Sequence, residues 1–173
     1  MNNWRSFLYG LNSLLLSAIW SVLLVAQIAS GFFLYNQAGI PVVRSAGWGI
    51  WALGAVFGVI PIFALRRKGD VPQGKSYMHT TVLVDTGIYA LVRHPQNGVA
   101  GMLLNLALPL IVQHWFVAVL SVLAMGLLYL DVLKADQYCI QKFGDDYKRY
   151  MQRVPRVNFL LGVARLLRRK RNA

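Results

Sequence analysis

Residues 99–130 read VAGMLLNLALPLIVQHWFVAVLSVLAMGLLYL, thirty-two positions without an Asp, Glu, Lys or Arg. The hydrocarbon core of a bilayer is crossed by about 20 residues of helix, so this run is too long for one straight passage. Pro109 and the polar pair Gln113-His114 interrupt it near the middle. It therefore reads as a tight hairpin of two short helices, 99–112 and 116–133, with one bent helix as the competing reading. Two more uncharged runs precede it. Residues 11–34 carry Trp20 in mid-run, and residues 46–65 open on Trp48 and Trp51 and stop at Arg66-Arg67-Lys68. Trp at the ends of such runs marks the interface with water. The expected fold is an all-α integral membrane protein of about four transmembrane helices, with 1–173 forming a single membrane domain. The first run is longer than the apolar part of a cleavable signal and lacks a convincing cleavage pattern, so it reads as a span.

Composition agrees. Of 173 residues 57% are apolar, yet Lys and Arg number 18 against 6 acids. A disordered polycation would be poor in apolar residues, and a soluble nucleic-acid domain would not carry a mean hydropathy of +0.48. One cysteine, Cys139, excludes a disulfide scaffold. All six acids are Asp, at 70, 85, 131, 136, 145 and 146. Four spans leave five connecting or terminal segments, and 17 of the 18 bases fall in the first, third and fifth; the other side holds only Arg44. By the positive-inside rule both termini and the long loop 66–98 face the cytoplasm. Residues 157–171, VNFLLGVARLLRRKR, place apolar residues early and bases late. They suit an interfacial helix meeting anionic membrane lipids. No stacking aromatic accompanies the basic cluster, and nucleic acid is not expected as a partner.

Chemistry is expected in the two water-facing pieces. In the first, Asp85-Thr86-Gly87 is a turn signal with Gly87 able to take a positive φ, and Pro95 biases His94 away from helix. Arg93 and His94 then stand at a helix mouth beside unpaired backbone donors, a place for a carboxylate; anchoring to lipid phosphates is the alternative. In the second, Gly144 ends one helix and Asp145-Asp146 open the next. Tyr147, Tyr150 and Val154 share a face of it until Pro155 stops it. His79, His94 and His114 are scattered and Cys139 has no thiol partner, so no metal site is expected. Nucleophile-elbow, phosphate-loop and His-Glu-x-x-His patterns are absent. Gly47-Trp48-Gly49 opens a transmembrane run and reads as helix packing or an interface anchor.

These pieces together resemble the integral-membrane S-adenosylmethionine-dependent methyltransferases of the isoprenylcysteine carboxyl methyltransferase and phospholipid methyltransferase group. The matching residues are Leu83-Val84-x-x-Gly87-x-Tyr89, Arg93-His94-Pro95, a helical hairpin, Phe143-Gly144-x-x-Tyr147-x-x-Tyr150 and Arg153-Val154-Pro155-Arg156. They span roughly 82–156. The resemblance implies S-adenosyl-L-methionine as cofactor, enclosed between the loop before the hairpin and the helices after it. Its implied contacts are Thr81, Val82, Leu83, Val84, Tyr89, His94, Pro95, Gln96 and Asn97. Asp136 and Arg153 are the implied catalytic residues, and a lipophilic small molecule or lipid is the implied acceptor. Methyl transfer is an in-line displacement, for which alignment of the two reactants supplies much of the acceleration. Three positions depart from the family pattern: Asn97 replaces a Tyr, Ala135 replaces the first of two Glu, and Asp131 replaces an Arg on the substrate side. The last argues against a prenylcysteine carboxylate as acceptor. A weakened relative that binds lipid or a partner is the alternative reading.

Overall fold

The computed structural model describes Gly10 and residues 12–171. Arg5 and Leu11, which enter the charge count and the first apolar run, lie outside the described residues. The elements are α1 (Ser13–Phe33), α2 (Pro41–Lys68), a short 3-10 turn (Gly87–Ala90), a π turn (Pro95–Ala100) leading into α3 (Gly101–Val112), α4 (Trp115–Arg153) and α5 (Phe159–Arg171). The described residues form no strand, and four helices are long and apolar enough to cross a membrane. Phe32, Phe33, Val22, Val59 and Val122 point outward from them, as lipid-facing positions do. The chain is an all-α membrane protein.

Local chemistry sets the helix ends. Asn12 caps α1 by accepting from the Leu14 N–H at 2.9 Å. The second helix begins at Pro41, five residues before the apolar run, because proline at the first helical position needs no N–H partner. Arg44 is thereby drawn inside the helix, and its guanidinium donates to the Asn36 carbonyl at 2.7 Å and lies over the Tyr35 ring. Arg66, Arg67 and Lys68 close α2 where the helix dipole favours positive charge.

The hairpin is present, and its first arm ends at Val112 as expected. Pro109 stays within α3, and the reversal falls at Gln113, which adopts the left-handed conformation (φ 54°). Gln113 gains its stability from tertiary bonds: its side-chain oxygen accepts from the Ile40 N–H and its amide donates to the Ile40 carbonyl, both at 2.8 Å. This clamps the α1–α2 connection to the α3–α4 turn. The second arm is longer than 116–133. No helix breaker occurs between Leu133 and Gly144, so α4 runs on until Gly144 kinks it with φ 57° and ψ −130°.

Small residues let the helices approach. A Cβ on Gly47 of α2 would stand 2.8 Å from the Ile111 side chain, and one on Gly101 would stand 2.9 Å from Leu128. At the bundle centre three buried polar residues join α1, α3 and α4. Gln27 donates to the Asn105 side-chain oxygen at 3.0 Å, Ser121 donates to the Gln27 oxygen at 2.7 Å, and Asn105 donates to the Gly101 carbonyl at 2.7 Å. In an apolar surrounding each such group is costly unless paired. Asn105→Leu is expected to lower unfolding free energy by about 1–3 kcal/mol, because it takes the shorter acceptor from the Gln27 amide and leaves only the Leu23 carbonyl at 3.3 Å. Reversible denaturant titration in mixed micelles measures this, and an unchanged midpoint would refute it.

Candidate functional site

The loop between α2 and α3 is folded back on both neighbours. Thr81 and Val82 both donate their N–H to the Gly69 carbonyl, at 2.9 and 3.3 Å. Gly87 takes the positive φ (64°) that the turn before the 3-10 segment requires. Further on, Arg93 N–H donates to the Pro155 carbonyl at 3.0 Å and His94 N–H to the Arg156 carbonyl at 3.2 Å. The segment before the hairpin is thus braced along the segment after α4. Tyr150 fastens the same region by donating to the Tyr89 carbonyl at 2.6 Å.

This brace surrounds one carboxylate. Asp136, 1% exposed, accepts at one oxygen from the Tyr147 hydroxyl at 2.6 Å and lies 2.7 Å from His94 Nε2. Its other oxygen accepts from Arg156 Nε at 2.6 Å and pairs with Arg93 Nη2 at 3.3 Å. Burial opposes the charge on Arg156, but the hydrogen bond to Asp136 and its attraction outweigh this and raise the guanidinium above its ordinary value. A carboxylate has about four acceptor sites, and here all are engaged.

Beside this cluster lies a cavity of about 220 Å³. Of the residues expected at a cofactor, Leu83, Val84, Tyr89, His94, Pro95, Gln96 and Asn97 line it. Thr81 and Val82 do not: the Thr81 hydroxyl is turned onto the Asp70 carboxylate at 2.8 Å, and Val82 is half exposed. Asp136 stands behind the wall, reaching the cavity only through His94, Tyr147 and Arg93. Arg153 is outside it, with its guanidinium 3.3 Å from Asp85 on the surface. The chain direction after Pro155 instead turns Arg156 inward. The opposite wall is made by α4 residues that the motif reading had not assigned to the cofactor, among them Tyr138, Cys139, Lys142 and Phe143. Their signal was helical spacing with Tyr147 and Tyr150, which are both buried and pack with Phe143.

No family model, curated protein or solved structure matches the chain.

The electrostatics of the site favour an anionic group within aromatic walls. Arg93 is 8% exposed and lines the cavity, and its Nε and Nη1 are buried without a hydrogen-bond partner. An orphaned guanidinium edge in such a place is expensive unless a ligand fills it. Lys142 adds a second cation, held over the Tyr138 and Phe143 rings at 5.8 and 5.1 Å. Burial holds the Tyr89 phenol well above its usual titration range, so it stays neutral.

Proposed function

We propose that the protein transfers a methyl group from S-adenosylmethionine to a lipophilic acceptor at the cytoplasmic face of a membrane, with both termini on that face. The observation that carries this reading is convergence. Two motif regions some forty residues apart, on either side of a hairpin, meet at one cavity lined by Arg93, whose buried Nε and Nη1 have no hydrogen-bond partner. Adenosylmethionine has the matching parts: a carboxylate, a flat adenine and a sulfonium whose methyl is the electrophile. Arg93, the buried cation of the cavity wall, would hold the carboxylate through charge-assisted hydrogen bonds of the strong class. Asp136 fixes the directions of Arg93, His94 and Tyr147, so that the wall is preorganised before the ligand arrives. Val84, Tyr89 and Phe143 keep water from the reacting pair. The cavity is smaller than the roughly 300–1,000 Å³ usual for whole small molecules, so its walls must yield for the whole cofactor to enter.

Adenosylhomocysteine titrated calorimetrically into the purified protein tests this reading. Arg93→Ala is expected to weaken binding about 10–100-fold, as loss of charge-assisted bonds worth about 1.5–3 kcal/mol requires. Substituting Arg165 and Arg168 together leaves it unchanged. Absence of binding by folded protein, or equal losses in both variants, would overturn the site. One observation favours binding without turnover as a second reading: Asp136 is fully engaged and has no lone pair for an acceptor's proton. Transfer of labelled methyl into a lipid extract separates the two.

A further inference from the structure

A second cavity, of about 340 Å³, lies within the helical bundle and shares two wall residues with the first, Gln96 and Asn97. Its other walls come from all four long helices and are mainly apolar, with Leu16, Trp20, Leu104 and Leu128 among them. Asp131 of α4 is the only charged residue among the described residues that line it. A carboxylate at the end of an apolar transmembrane run calls for a reason, since intramembrane acids are costly and commonly functional.

The geometry joins Asp131 to the first cavity. Gln96 and Asn97 belong to the wide π turn, and Gln96 is held by the Gly58 carbonyl at 3.1 Å and the Tyr77 hydroxyl at 3.2 Å. Asn97 is held less firmly: its amide stands 3.4 Å from the Asp131 carboxylate, a long bond. A head group that replaced Asn97 at Asp131 would stand beside the wall that the two cavities share. Trp20, whose indole N–H is buried without a partner, stands in the same second cavity.

We infer that this second cavity is the acceptor site and that its acceptor is a long-chain amine, with the apolar tail among α1, α3 and α4 and the nitrogen at Asp131. The inference rests on the methyl-transfer reading and names its substrate class. A long-chain carboxylate would meet a like charge there, and an alcohol would gain only a neutral hydrogen bond. The amine arrives as ammonium, paired with Asp131, and releases one proton to water. Its lone pair then attacks the sulfonium methyl. The new N–C bond forms as the C–S bond breaks, and the bonding pair stays on sulfur as a neutral thioether. The methylated nitrogen carries the positive charge, which Asp131 again balances.

Chain-brominated tetradecylamine, tetradecanol and tetradecanoate, titrated against the protein in detergent, test this through quenching of Trp20, with Trp20→Phe as the blank. The amine is expected to half-saturate at a concentration at least tenfold below the alcohol, and the carboxylate to be weakest. Asp131→Asn should bring amine and alcohol within twofold of each other, whereas Asp131→Glu should keep the preference. Equal quenching by all three, or a preference that survives Asp131→Asn, overturns the assignment. Should Asp131→Asn not fold, the wild-type comparison and Asp131→Glu still decide it. Adenosylhomocysteine binding without an amine preference removes this inference alone. An amine preference without adenosylhomocysteine binding removes the methyl-transfer reading, and the acceptor role with it.

Discussion

Asp136→Ala is expected to cost about 3–5 kcal/mol of folding stability and to abolish adenosylhomocysteine binding together. The size follows from what the carboxylate holds. Arg93 and Asp136 are 6% and 2% exposed at their side chains, and removing one member of a buried pair leaves the other charge uncompensated. Arg156 and His94 lose the same partner, and the Tyr147 hydroxyl loses its acceptor. Arg156→Ala should be milder, about 1–3 kcal/mol, because its side chain is 29% exposed and Asp136 keeps three other donors. The double variant should be less damaged than the sum of the two, the mark of groups that act as a unit. Chemical denaturation in mixed micelles gives the free energies, and calorimetry gives the affinity. An Asp136→Ala protein as stable as the wild type would show that the cluster is not what fixes the site.

The parts of this structure that were legible in the sequence are those with a local or periodic cause. Uncharged runs gave the four long helices, since a bilayer demands them. Gly87 and Gly144 were readable as turn and break because both take positive φ. Tyr147, Tyr150 and Val154 were readable as one helix face from spacing alone, and the structure buries all three to at most 3% exposed. The Asp136 cluster was not readable in full. Its partners come from residues 93, 94, 147 and 156, and nothing at the level of spacing says that these meet at one carboxylate. Arg153 and Arg156 illustrate the difficulty. They lie three residues apart within one motif, yet the end of α4 and the turn at Pro155 separate them, sending one to the surface and the other inward. Gln27, Asn105 and Ser121 are likewise single polar residues in apolar runs, without a period to betray that they join.

Gly162→Ala is expected to release α5 from the rest of the protein. An added Cβ at this position would overlap the Leu91 carbonyl oxygen, a backbone atom that has no rotamer by which to yield. Leu91 directly follows the 3-10 turn and leads to Arg93, so it is itself held by the brace against Pro155 and Arg156. The helix must therefore give way. What it would lose is modest but specific: Phe159 packs on Phe57 with ring centroids 5.4 Å apart, and both Val157 and Phe159 close the cluster around Val92 and Val99. Overpacking of this kind typically costs about 1–3 kcal/mol. The brace lies before α5 in the chain and rests on backbone hydrogen bonds, so adenosylhomocysteine affinity should fall no more than a few-fold. Trypsin reports the release, through cleavage after Arg165 and Arg168 at a rate at least tenfold above wild type, with the fragments identified by mass. Gly126→Ala is the control, since a Cβ there meets nothing within 4 Å. Unchanged cleavage in Gly162→Ala would mean that α5 is not pressed against Leu91. A large loss of ligand affinity would mean that the helix, and not the brace before it, holds the site together.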